Sequence, residues 1–235
     1  MSEWWTYRLS SFLLFSPRTY YRLFELYNRD LWPAHLLAVA LGLAVAALWR
    51  PHVWCGRAVA AILAACWLTV AWAYLYQRYD TINWAAKYFA LAFVLEALLL
   101  IASGVVRNRL ILRGLNDAFG RLGLAIFIFA LGVQPLIGPL AGRNWVQAEL
   151  FGLAPDPTVV ATLGVLTAGN RPHWNLQVIP LVWCAISGAT LWTMQSPDAL
   201  VMPLAALAAL SLAIAKGFWR SDQIRKLDKG ATDRP

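Results

Sequence analysis

Residues 84–104, WAAKYFALAFVLEALLLIASG, contain one base, Lys87, and one acid, Glu96, in a tract otherwise almost entirely apolar. About 20 such residues make a helix long enough to cross the hydrocarbon of a bilayer. A soluble fold could not cover several of them. Comparable tracts recur at about 31–49, 58–77, 122–141, 176–194 and 199–216, so the sequence predicts an all-α polytopic membrane bundle.

Composition agrees. Sixty per cent of residues are hydrophobic and 14% are charged, against about 45–50% and about 25% in soluble domains. Tryptophans gather near the predicted span ends (Trp32, Trp49, Trp54, Trp84, Trp145, Trp174, Trp219), as in an interfacial belt. The formal charge of +8 is spread over the N-terminal segment, two loops and the tail. That pattern suits anionic lipid head groups and not nucleic acid. Cys55, Cys66 and Cys184 form no disulfide framework, and EWWTYR does not begin a cleavable signal.

Three parts are expected: an amphipathic interfacial segment over 1–30, the bundle over 31–216 and a basic polar tail over 217–235, partly disordered. In the first part Ser16 caps a helix with Pro17 at its first position. Tyr20, Leu23, Phe24 and Tyr27 form its apolar face, which a partner protein could also cover.

The stretch GRNWVQAELFGLAPDPTVVATLGVL, residues 142–166, leaves the topology open. Its apolar end, Thr158–Gly169, covers roughly 18 Å at about 1.5 Å per residue, less than the membrane's thickness. Asp156 is expected to cap this helix, with Pro157 at its first position. A protein-covered lead-in lets the tract cross; otherwise it dips in and returns. Counting Lys and Arg on each side does not separate six spans from seven. Weighting the basic segment 107–121, close to span ends, favours seven, with the N-terminus outside and the C-terminus in the cytoplasm of a bacterial inner membrane.

Three stretches, FSPRTYYRLFELYNRDLWPA, FGLAPDPT and VIPLVWCAISGATLWTMQSPDALVMPLAAL, resemble a bacterial integral-membrane family catalogued as domain of unknown function 6064. The similarity covers nearly the whole chain. Its most specific pieces are Tyr27-Asn28 with Trp32-Pro33-Ala34, and Phe151-Gly152-Leu153 with Pro155, Pro157 and Thr158. The resemblance implies a multi-span fold and no activity. Asp156 stands where the family often has cysteine, Gly142-Arg143-Asn144-Trp145 where it often has a Gly-His-x-x-Pro element, and Glu96 where glutamine is common. A metal or redox role resting on that cysteine and histidine would be lost here.

Glu96 falls near mid-membrane, where a lone carboxylate costs several kcal/mol, so it must be protonated or paired. It is either a proton- or cation-binding group or a neutral acid hydrogen-bonded to another helix, for which Gln134 is a candidate partner. Asp80, Asn83 and Lys87 share a helical face by spacing and, with seven spans, could form a polar vestibule with Glu149 and Asp156; Thr158 is a further binding candidate. The blander reading pairs Lys87 with a nearby carboxylate at the surface. Lys216 at the edge of the last span does not suit a retinal site. His35, His52 and His173 stand apart, so no haem, metal or other cofactor is implied. Two functions remain: transport of a small solute, proton or ion, and an accessory or scaffolding role beside other membrane subunits or copies of the chain. A membrane enzyme ranks third, since no nucleophile or ligand set names a reaction.

Overall fold

A computed structural model describes residues 15–232, with side chains as far as residue 219. The expectation for residues 1–14 lies outside them. Among the described residues the fold is all-helical, apart from one isolated bridge between Leu112 and Gly169. Helix α1 (Pro17–Asp30) has Ser16 as N-cap and Pro17 in its first turn. It turns by 92° into α2 (Ala34–Ala47). Then follow α3 (Val53–Thr69), α4 (Ala86–Leu100) and α5 (Ala118–Ile128), each running on in π-helical turns. The last are α6 (Gln134–Leu140), α7 (Pro155–Ala168), α8 (Trp174–Thr193) and α9 (Val201–Thr232).

Five segments are long and apolar enough to cross a membrane: α3 and α4 with their extensions, α5–α6, α8 and α9 as far as Trp219. A sixth is counted if the bent pair α1–α2 is one span. Helix α9 continues through the polar basic segment that begins at 217, as far as Thr232. SDQIRKLDK contains no proline or glycine to break it.

Contacts sort the loops between the two ends of the bundle. At one end α1 lies across the loops 142–154 and 194–200. The Tyr27 hydroxyl donates to the Leu153 carbonyl at 3.0 Å, and the Asn28 amide donates to the carbonyls of Val146 and Ala148 at 2.7 and 2.9 Å. Phe15 and Tyr20 pack on Tyr79, bringing the α3–α4 loop to the same end. At the other end the segment 107–117 meets residues 168–170. Arg113 N–H donates to Ala168 O and Asn170 N–H to Ile111 O, both at 2.8 Å. Trp49 donates to Gly120 O at 3.2 Å, so the α2–α3 loop lies there too. Successive helices from α2 to α9, with α5–α6 as one, therefore alternate in direction. These ends are called the α1 face and the basic face below.

Helix α7 is the centre of the fold. All fourteen of its residues are buried, although at about 1.5 Å each they span only roughly 21 Å. Helix α5 passes it in backbone contact: a Cβ on Gly164 would stand 2.8 Å from Gly123 O, and one on Gly123 would stand 2.5 Å from Gly164 O. Small residues permit such approach between membrane helices. The lead-in is also covered. Phe151, Leu153 and Ala154 are buried, and Gly152, at φ +79°, lies against Cys66. The helix begins earlier than expected, with Ala154 as N-cap and Pro155, not Pro157, in the first position. Both prolines satisfy the same sequence rule, so the sequence alone could not choose between them.

A helix buried all round must satisfy its terminal carbonyls with protein groups. Lys216 does this. Its Nζ, on a side chain expected at the membrane edge, is buried and donates to the carbonyls of Leu166, Thr167 and Gly169. Replacing it (Lys216→Met) removes this donor from the Thr167 and Gly169 carbonyls, while Leu166 O keeps the Gly169 N–H. The variant is expected to lose about 2–4 kcal/mol, measured as a lowered Tm of the detergent-solubilised protein.

Candidate functional site

Under α1, where α7 begins, three carboxylates share one guanidinium. Asp156, in the first turn of α7, accepts from Trp183 Nε1 at 2.7 Å and from Ser187 Oγ at 2.6 Å, both on α8. Arg143, from the α6–α7 loop, forms a tight ion pair with Asp198 and stands 3.9 Å from Glu149. The Arg143 guanidinium lies 4.5 Å from the Tyr21 ring centroid. Ser196 donates to Asp198, so the Tyr21 hydroxyl, 2.5 Å from Ser196 Oγ, must donate to it. The result is a relay from α1 to the ion pair.

These groups surround a cavity of about 10 Å³ lined by Gln134, Arg143, Glu149, Asp156, Asp198 and Met202, room for about one water. A second, also of about 10 Å³, lies across Ser187 and is lined by Tyr20, Tyr74 and Tyr79. Asp156 and its Ser187 partner thus stand between two water-sized spaces. Gln134 Oε1, Arg143 Nε and Arg143 Nη1 have no hydrogen-bond partner among the described residues. Burial pushes the Glu149 carboxyl well above the usual carboxylate range; Asp156 and Asp198 push it further, and Arg143 opposes. Arg143 is engaged by Asp198 and stands farther from Glu149, so the neutral form of Glu149 is favoured.

Of the residues proposed from sequence, Glu149, Asp156 and Gln134 come together. Asp80, Asn83 and Lys87 do not line the cavity, which corrects the expected vestibule. The helix that would have aligned them does not start until Ala86. Asp80 pairs with Lys87 at 3.3 Å, and Asn83 Oδ1 accepts the Ala85 N–H at 3.0 Å. Thr158 is structural: its hydroxyl donates to Ala154 O and accepts from Gly152 N–H, closing the turn into α7. The candidate Glu96–Gln134 pair does not form. Gln134 reaches Met202 Sδ at 3.8 Å, while both Glu96 oxygens are buried and unpartnered among the described residues. Glu96 lies one turn beyond Phe93, whose ring packs on Trp183, the donor to Asp156.

Sequence reasoning missed Arg143 and Asp198. Each is a charge within a few residues of an apolar span, in GRNW and QSPD, which was the available signal. Their pairing spans 55 residues and has no local signature.

At the basic face His173 is buried, with Nε2 unpartnered. Burial, then the charges of Arg171 and Lys216, lower its pKa to about 4 from 6.5. A group protonated more readily when unfolded destabilises the fold as pH falls. Stability should therefore decline between pH 6.5 and about 4 relative to His173→Gln, and match that variant's pH dependence above 6.5. The measurement is Tm against pH for both proteins.

Fold and site define an all-helical chain with the apolar helices of a multi-pass membrane protein, built round a buried polar cluster. The chain belongs to DUF6064, a family of unknown function, which matches it over residues 18–223. No curated protein and no solved structure matches it. The two stretches that carry the resemblance touch in the fold: Tyr27 and Asn28 hold the lead-in that contains Phe151-Gly152-Leu153.

Proposed function

We propose that the protein moves protons across the membrane, alone or with a small solute, using the Glu149–Asp156–Asp198 cluster to exchange protons at the α1 face and Glu96 to carry one at depth. The observation behind this reading is the surplus of buried acid. Glu96 and Asp156 are buried, and the Glu149 and Asp198 side chains are only 10% and 13% exposed, with Arg143 the one base lining the cavity. Burying unpaired acid stabilises no scaffold; apolar residues of similar volume would serve it better. Ionisable groups at depth mark proton or ion pathways. The cavities favour a proton over a larger solute, since each holds about one water. Arg143 gives the cluster two arrangements. With Glu149 protonated it stays on Asp198; when Glu149 releases its proton, the free Nη1 has a second carboxylate to engage.

In proteoliposomes containing a pH-sensitive dye, the protein should dissipate an imposed pH gradient. Glu149→Gln and Glu96→Leu should each slow this at least tenfold with Tm little changed. No proton movement, or rates unchanged in both variants, would sink the reading.

The proposed topology has seven crossings, with α2 and the protein-shielded α7 added to the five long segments and α1 outside. Arg50, Arg57, Arg107, Arg109, Arg121 and Arg171 crowd the opposite end, none in an ion pair among the described residues. That asymmetry supports placing the basic face in a bacterial cytoplasm, against anionic head groups. Cysteines at Trp145 and Arg171 should react with impermeant reagents from opposite sides. Reaction from the same side would return α7 to a re-entrant loop.

A further inference from the structure

A short chain of hydroxyls runs from helix α1 to one carboxylate of the acid cluster. Arg143 Nη2 holds Asp198 in a tight ion pair, so that carboxylate is ionised and only accepts hydrogen bonds. Ser196 Oγ places its one hydrogen on Asp198 Oδ1. Its lone pair then faces the Tyr21 hydroxyl, which donates to it across 2.5 Å.

Glu149 has no such support. Its nearest cation is Arg143 Nη1 at 3.9 Å, and no hydroxyl or N–H among the described residues donates to it. The Glu149 and Asp198 side chains are 10% and 13% exposed, so access to water does not by itself set them apart. The other ionisable groups facing the pair are Asp156 of α7, Tyr20 and Tyr21 of α1, and Tyr74 in the π-helical extension of α3. Asp156 already has two donors of its own, Trp183 and Ser187.

We propose that Tyr21 and Ser196 are positioning residues that direct the cluster's proton to Glu149 instead of Asp198. A hydroxyl that donates to a carboxylate stabilises its ionised form alone. Asp198 receives that bond from Ser196, and the Tyr21 O–H polarises Ser196 into a stronger donor. Arg143 faces one acid with each terminal nitrogen and does not choose between them by reach. The hydroxyl chain makes the choice. Tyr21 belongs to α1, so the seating of that surface helix sets where the proton rests.

This assignment rests on the cluster being the site of proton exchange, but its test needs no transport. The full chain, with isotope-labelled Asp and Glu carboxyl carbons, is titrated in lipid nanodiscs and followed by NMR. Glu149→Gln and Asp198→Asn assign the two signals. Ser196→Ala should raise the proton affinity of Asp198 about tenfold, and Tyr21→Phe about threefold. Tyr21→Phe keeps the ring beside Arg143 and still reads out if Ser196→Ala fails to fold. In the Ser196→Ala background Tyr21→Phe should add nothing, because it acts only through Ser196. An unchanged Asp198 titration in Tyr21→Phe and Ser196→Ala would overturn the assignment, and so would additive effects in the double variant. If the titrations shift but the unaltered protein moves no protons, the transport reading alone fails. If protons move while the titrations stay put, only this assignment does.

Discussion

The fold depends on satisfying a helix that touches neither water nor lipid. Helix α7 is buried along its whole length, so no backbone group at its ends can be left to solvent. At its C-terminus the Lys216 ammonium and the Arg113 N–H take carbonyls from 166 to 169. At its N-terminus the requirement spreads further. The chain enters the buried helix through non-helical backbone, whose polar groups need a protein cover. That cover is α1, whose Tyr27 and Asn28 occupy carbonyls of the lead-in.

The same geometry explains why the polar cluster lies where it does. Helix α1 and the lead-in shut the N-terminal end of α7 away from bulk water, and the charges of the α6–α7 and α8–α9 loops are enclosed with it. Arg143 and Asp198 find each other and Asp156 finds donors on α8, while Glu149 gets only a distant share of Arg143. The tyrosines of α1 then serve two purposes. They bury aromatic area against Tyr74 and Tyr79, and through Tyr21 they couple the cover to the ion pair beneath it.

Much of this is legible in the sequence. The apolar tracts marked the long helices because hydrocarbon thickness imposes a length. Ser16-Pro17 marked the start of α1 because capping chemistry is local. Glu149 and Asp156 stood out as charges beside a tract too short to cross alone. What could not be read required partners distant in sequence. Lys216 sits where it would snorkel to the surface, and only the position of α7's last carbonyls turns it inward. Gln134 resembles a partner for Glu96 because both are polar groups in apolar spans, but its place on the α5–α6 segment brings it to Met202 of α9. The run Asp80–Asn83–Lys87 was misread because a spacing shows a shared face only where the helix is continuous.

The dipole of α7 separates the roles of the acids further. Asp156 occupies the helix's first turn, where the partial positive charge of the free N–H groups favours an anion by about 0.3–1 kcal/mol, up to ~2 when partly buried. Lys216 complements the opposite end in the same way. Asp156 therefore has two donors and a helix terminus to support its charge. Glu149, outside the helix, has neither and carries the penalty of burial beside two other acids. A cluster of this kind is asymmetric by construction: Glu149 is the member whose proton affinity depends most on its surroundings, while Asp156 and Asp198 stay fixed to their donors. Any displacement of α1 that admits water would lower the cost of charge on Glu149 first and draw the unpaired edge of Arg143 toward it.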